Sequence, residues 1–195
     1  MNENEASPVA EPASRRSLLR GTAQAALSAT AVALIAGCES MAQGQRGGDT
    51  ANDVQILNTA LGLEWEAIAA YQVGAQSGLL QPPVLAVAVA FQGDHKEHAE
   101  VLANAVRRLG GTPVQAKAVA DYRFPTQDLR TQADVLRFAA GLEKAAASAY
   151  LGAVPMFGNR ELAKASASIL GVEAQHWALL RQALQEPPVA GPFIG

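Results

Sequence analysis

Glu173 and His176 stand three residues apart in Leu170-Gly171-Val172-Glu173-Ala174-Gln175-His176-Trp177-Ala178-Leu179-Leu180, a stretch that otherwise reads as an apolar helix. Residues at i and i+3 share a helix face, so this carboxylate and imidazole point the same way, along the stripe that Ile169 and Leu180 mark as core. His95 and His98 repeat the spacing on another segment. Carboxylate oxygen and imidazole nitrogen on one face can hold an ion, and such N/O donor sets suit iron, manganese or zinc.

Four apolar stripes carry these groups. One runs through Leu57, Ala60, Leu61, Glu64, Ala67, Ile68 and Tyr71, and a second through Leu136, Ala139, Ala140, Glu143, Ala146, Ala147 and Tyr150. The third runs through Val84, Val87, Ala88, Phe91, His95, His98, Leu102 and Ala105, and the fourth through Leu162, Ala165, Ile169, Glu173, His176, Leu180 and Leu184. Each is interrupted at mid-height by ionisable residues, and all 3 histidines of the chain fall at that level. Burying three carboxylates without partners costs several kcal/mol each, against a typical domain stability of ~5–15 kcal/mol. A positive charge is expected among them.

Glycine and proline mark the ends of four helices. The first runs from about Asn52 to Ser77 and stops at Gly78; the second runs from Pro82-Pro83 to Leu109, before Gly110-Gly111. The third begins around Thr131, with Asp134 placed for a capping box, and ends or bends near Pro155. The fourth opens after Asn159 and closes before Pro187-Pro188. Between the second and third lies a long connection, Gly110 to Arg130. A helix of ~26 residues is about 39 Å long, whereas 20 extended residues reach roughly 66 Å, so the connection can cross the whole length of a bundle. The expected fold is all-α, a four-helix bundle of two antiparallel hairpins joined by a crossover.

An internal repeat supports the two-hairpin reading. Gly62-Leu63-Glu64-Trp65-Glu66-Ala67-Ile68-Ala69-Ala70-Tyr71 matches Gly141-Leu142-Glu143-Lys144-Ala145-Ala146-Ala147-Ser148-Ala149-Tyr150 at six of ten positions, and His98 aligns with His176. Two related hairpins face to face would bring matching residues together across a pseudo-twofold axis.

These residues resemble the ferritin-like superfamily of dinuclear metal proteins, whose pattern is one Glu from each of two helices and a Glu-x-x-His pair from each of the other two. The likeness is greatest to secreted bacterial ferritin-like domain proteins. It implies Glu64, His95, His98, Glu143, Glu173 and His176 as metal ligands, with dinuclear iron as the cofactor and manganese or zinc as alternatives. Where the pattern has a glutamate, this chain has His95. Glutamate can bridge two ions, whereas a neutral imidazole has one lone pair, so the expectation is that Glu173 alone bridges and that one position is weaker. Asp94 is the reserve ligand should His95 turn away. Tyr71 and Tyr150, two turns from Glu64 and Glu143, are expected either as hydrogen-bond partners of the ligands or as core filling. Trp65 and Trp177 read as packing residues, and Glu97 and Glu100 as solvated.

The N-terminal 38 residues read as an export signal. Ser14-Arg15-Arg16-Ser17-Leu18-Leu19-Arg20 resembles a twin-arginine signal, an Ala- and Leu-rich run follows, and Ile35-Ala36-Gly37-Cys38 resembles a lipobox that would lipidate Cys38. Residues 39–51 read as a flexible tether, 52–186 as the bundle and 187–195 as a C-terminal tail. The expected location is the periplasm or cell envelope, on a lipid anchor in the membrane. Cys38 is the sole cysteine, so the mature domain has neither an internal disulfide nor a thiolate site.

In a 195-residue chain with 49% hydrophobic and 17% charged residues, a net charge of −3 with scattered basic residues argues against nucleic acid as a partner. Oxygen or peroxide is the expected co-reactant, in a ferroxidase, a small oxidase or a manganese-type catalase. The alternative is a metal-holding or structural envelope protein with the site but no turnover. A closed storage cage fits poorly with a lipid-tethered bundle, and the sequence leaves the oligomeric state open.

Overall fold

The structure is a computed structural model that describes residues 47–194. Four long helices make up the bundle: α1 (Gly47–Gln76), α2 (Pro82–Arg108), α3 (Gln132–Ala153) and α4 (Arg160–Ala183). α1 packs mainly on α2 and α3 on α4, and α1 also lies against α3. Asn52, near the start of α1, donates to the carbonyl of Met156 beyond the end of α3, so α1 and α3 run in opposite directions. The Gln81 amide, at the start of α2, donates to Gln132 at the start of α3, as parallel helices require. The crossover therefore spans the bundle as expected.

Local chemistry sets the ends. Gly78 and Gly110 adopt left-handed backbone at φ 71° and 80°, terminating α1 and α2 where a side chain would be strained. Thr131 and Asp134 form the reciprocal capping box that opens α3. Asn159 caps α4 by accepting from the Glu161 and Leu162 amides. α3 gives way to a 3-10 turn at Val154–Met156, around Pro155.

The crossover is tied down along α1. Asn58 donates to the Thr112 carbonyl and accepts from the Val114 amide, while the Trp65 indole donates to the Val114 carbonyl. Gly111 is needed here because a Cβ would stand 2.7 Å from Val54 Cγ1.

Two differences from the sequence reading concern the ends of helices. α1 begins at Gly47, five residues before the expected Asn52, so helix continues into the segment read as tether. Val87, placed on the buried stripe of α2, is exposed; the burial of that stripe begins at Phe91. Val84 and Ala88 in the first turns of α2 still pack partly buried against the core, so it is Val87 that turns away from it. The export signal, Cys38 and residues 39–46 of the tether lie outside the described residues. No helix among the described residues is long and apolar enough to cross a membrane.

The core forms two clusters. Leu57, Leu61, Leu102, Val106, Leu162 and Ile169 anchor one, and Tyr71, Phe91, Leu136 and Leu180 anchor the other. The ionisable groups sit between them.

Candidate metal centre

Glu64, His95, His98, Glu143, Glu173 and His176 are all buried and converge at mid-height of the bundle, one or two from each helix. They form two groups of four donors: Glu64, His95, His98 and Glu173, and His95, Glu143, Glu173 and His176. His95 and Glu173 belong to both. Among the described residues these are the groups with metal-binding composition and proximity.

In the first group His95 Nδ1 lies 2.8 Å from Glu64 Oε2, and His98 Nδ1 lies 3.0 Å from Glu173 Oε1. The ring of donors is closed by His98 Nδ1 to Glu64 Oε2 at 3.6 Å and His95 Nδ1 to Glu173 Oε1 at 3.8 Å. In the second, His95 Nε2 is 3.2 Å from Glu143 Oε1, while His176 Nδ1 is 3.5 Å from Glu143 Oε2 and 3.7 Å from Glu173 Oε2. Four tetrahedral donors at about 2.0–2.1 Å from a metal stand roughly 3.3 Å from one another, the spacing around which these distances scatter.

Hydrogen bonding tests the fit independently. His98 Nδ1, Glu143 Oε2, both oxygens of Glu173 and His176 Nδ1 are buried without a hydrogen-bond partner, and they are all such side-chain atoms among the described residues. His98 Nδ1 with Glu173 Oε1 and His176 Nδ1 with Glu143 Oε2 are close yet form no aligned hydrogen bond, and His176 Nδ1 with Glu173 Oε2 at 3.7 Å is beyond reach of one. Buried polar groups are ordinarily satisfied, and a cluster of orphans at this spacing is what cation ligands look like without their ion. The residues fit a metal.

The surroundings hold the donors in place. Tyr71 on α1 donates to Glu143 Oε1 on α3, and Tyr150 on α3 donates to Glu64 Oε1 on α1. Burial and the facing carboxylates push both phenols well above their usual value of 10, so both remain donors. His176 turns Nε2 outward to Asp94 Oδ2 at 3.0 Å and is stacked on the Phe91 ring at a centroid distance of 3.9 Å. Asp94 is thus an orienting partner of His176 and lies outside both donor groups, while His95, for which it was the reserve, points inward. Trp177 packs at the edge under Lys144 and Arg181, and Glu97 and Glu100 are exposed as expected.

Without metal, protons supply the positive charge. Burial alone would lower His95, but hydrogen bonds with Glu143 and Glu64 outweigh it and lift the ring to about 11. His98 and His176 are raised to about 9 against the same burial, by Glu173 and Glu64 for one and by Glu143 and Glu173 for the other. Burial would raise Glu64, yet His95 and His98 bring it down to about 2; Glu143 is likewise lowered, by His176 and His95. Glu173 behaves differently: burial dominates and raises it.

Three features of the centre were not drawn from the sequence. The tyrosines cross between hairpins, a pairing signalled by Tyr standing seven residues after Glu in both repeats. Both nitrogens of His95 face carboxylates, which places its ring in two donor groups of the same composition, two glutamates and two histidines each. Asp53 is a further buried carboxylate on α1, but it accepts from the Gly158 and Asn159 amides and is structural.

The chain matches the ferritin-like domain over residues 52–186. No curated protein matches it. Among solved structures, it resembles a conserved hypothetical protein of Mycobacterium tuberculosis, with 21% identity and a TM-score of 0.64 over 74% of this chain and 99% of that one. It also resembles the bacterioferritin of Desulfovibrio desulfuricans, with 20% identity and a TM-score of 0.63 over 77% of this chain and 96% of that one. With the family match over residues 52–186, across the four helices that carry the buried Glu and His cluster, the chain belongs to the ferritin-like domain family.

Proposed function

We propose that this chain is a dinuclear iron protein of the cell envelope that reacts with oxygen or peroxide, as a ferroxidase, oxidase or catalase-like enzyme. The observation that carries this reading is the pair of matched four-donor groups containing the buried polar atoms that lack partners. Iron is favoured by the nitrogen and oxygen donors and by the likeness to a bacterioferritin described with a diiron site. Manganese and zinc suit the same donors.

A bound iron pair would supply the electrons that reduce oxygen or peroxide. The protein supplies position and dryness. Each tyrosine holds Oε1 of a glutamate, so that Glu64 Oε2 faces His95 and His98 and Glu143 Oε2 faces His176, while Glu143 Oε1 is shared between Tyr71 and His95 Nε2. Asp94 selects the tautomer of His176 that leaves Nδ1 free for a cation, and the Phe91 ring covers its face. The test is to load the protein with Fe(II) anaerobically, admit oxygen and follow its uptake. Uptake well above that of Glu173→Ala at equal iron is expected; equal uptake would contradict turnover at this centre.

The twin-arginine pattern and Cys38 support export in a folded state and attachment by lipid. Cys38→Ala should release the mature protein from the membrane fraction, and unchanged attachment would rule out the lipid.

A further inference from the structure

We propose that His95 bridges the two metal positions, with Nδ1 serving one and Nε2 the other. This rests on the dinuclear reading above. It assigns to a histidine the bridging place that the resemblance pattern gives to a glutamate.

Position is the first argument. His95 belongs to both donor groups, and different atoms of its ring enter each: Nδ1 is 2.8 Å from Glu64 Oε2, and Nε2 is 3.2 Å from Glu143 Oε1. The other two imidazoles turn a single nitrogen inward. His98 presents Nδ1 to Glu64 and Glu173, and His176 presents Nδ1 while Nε2 is engaged by Asp94. The His95 ring neighbours both, with centroids 6.0 Å from His98 and 5.6 Å from His176. Glu173 shows the same division, with Oε1 toward His98 and Oε2 toward His176. The two shared residues therefore divide their atoms in parallel between the same two positions.

Charge is the second argument. A neutral imidazole has one lone pair and can serve only one cation. To serve two, the ring gives up both of the N–H protons it carries in the metal-free protein to solvent, and a bond to a cation replaces each N–H bond. The resulting imidazolate carries −1. With Glu64, Glu143 and Glu173 the donors then total −4, which balances two divalent ions and equals the charge of a four-glutamate set. His95 thereby replaces both the bridge and the charge of the missing carboxylate.

The span differs from that of a usual dinuclear site. Metal–nitrogen bonds of about 2.0–2.1 Å on opposite flanks of one five-membered ring put the ions about 6 Å apart. In two-metal hydrolytic and transfer sites the separation is ~3.5–4 Å. Ions held by His95 would be too far apart to share a single oxygen atom.

Zinc is redox-silent and gives an anomalous X-ray signal, so the probe is Zn(II) added to the purified mature protein. Anomalous diffraction should show two ions about 6 Å apart with the His95 ring between them. His95→Glu, which restores the resemblance pattern and guards against a folding failure, should keep two ions and bring them to ~3.5–4 Å. His95→Gln, with one donor oxygen, should lower affinity for the second ion at least tenfold by titration. Two ions within ~4 Å in the unaltered protein, or His95 bound through one nitrogen only, would overturn the bridge and leave the dinuclear reading intact. A folded protein that binds no zinc and no iron would overturn that reading as well.

Discussion

Tyr71 on α1 donates its hydroxyl proton to Glu143 on α3, and Tyr150 on α3 returns the same bond to Glu64 on α1. Each hairpin thus holds a carboxylate of the other, and the two bonds are related by the pseudo-symmetry of the repeat. Removing either hydroxyl leaves a buried carboxylate one donor short. A hydrogen bond to a charged group contributes about 1.5–3 kcal/mol, so Tyr71→Phe and Tyr150→Phe should each destabilise the metal-free protein by that order, to similar extents. Urea denaturation measures both. A loss below about 0.5 kcal/mol for either would show that the phenols only fill space.

Glu64 and Glu173 should respond in opposite ways to neutralisation in the metal-free protein. His95 and His98 lower Glu64 from 4.5 to about 2, so its charged form stabilises the fold. That shift converts to roughly 3 kcal/mol as an upper bound, and Glu64→Gln should lose a substantial part of it. Glu173 is raised by burial, so folding disfavours its charge. Glu173→Gln should be neutral or stabilising without metal while lowering metal uptake. Thermal melts of chelated protein test the contrast, and equal losses for both variants would contradict it.

The metal-free protein should have an optimum between the carboxylate and histidine ranges. The histidines are raised in the folded state, so their contribution is complete below the ordinary value of 6.5. It is lost as pH rises, first toward about 9 for His98 and His176 and then toward about 11 for His95. Glu64 is lowered, so its contribution is present above 4.5 and lost as pH falls toward about 2. Metal takes the place of the protons, so loading should remove the alkaline decline and metal affinity should rise with pH. Melting temperatures of chelated protein that stay level from pH 6 to pH 10 would contradict the assignment.

The bundle was legible because its determinants are local: Gly78, Gly110, the Thr131 capping box and Asn159 stand where the helices end. That these six side chains would be buried together was legible because carboxylates and imidazoles on apolar stripes are costly to bury unless a counter-charge holds them, and the repeat doubled the signal. Pairings across helices were not. Which nitrogen of His95 faces which carboxylate, and that Asp94 meets His176 rather than the centre, depend on how four helices rotate against one another. The stripe also misplaced Val87, which is exposed although Val84 and Ala88 beside it pack against the core, because a stripe read at helical spacing is wider than the contact that the neighbouring helices make.

Asp94 offers a separate test of how the donors are oriented. It contacts His176 at 3.0 Å, its side chain is 46% exposed, and its counterpart in the repeat is Val172. Asp94→Asn should therefore change stability little but lower metal affinity ~10–100-fold at the His176 position, with Asp94→Glu restoring part of it. Titration with Zn(II) reads both positions. An equal loss at both, or none, would show that Asp94 does not act through His176.

The central claim is that two metal positions share Glu173 and His95 at the middle of the bundle. Anaerobic equilibrium dialysis of the purified protein against Fe(II), followed by metal analysis, tests it most directly. The account predicts two ions per chain, and a marked fall in Glu173→Ala because that residue reaches both positions. A folded protein that takes up no iron, or uptake unchanged by Glu173→Ala, would contradict it.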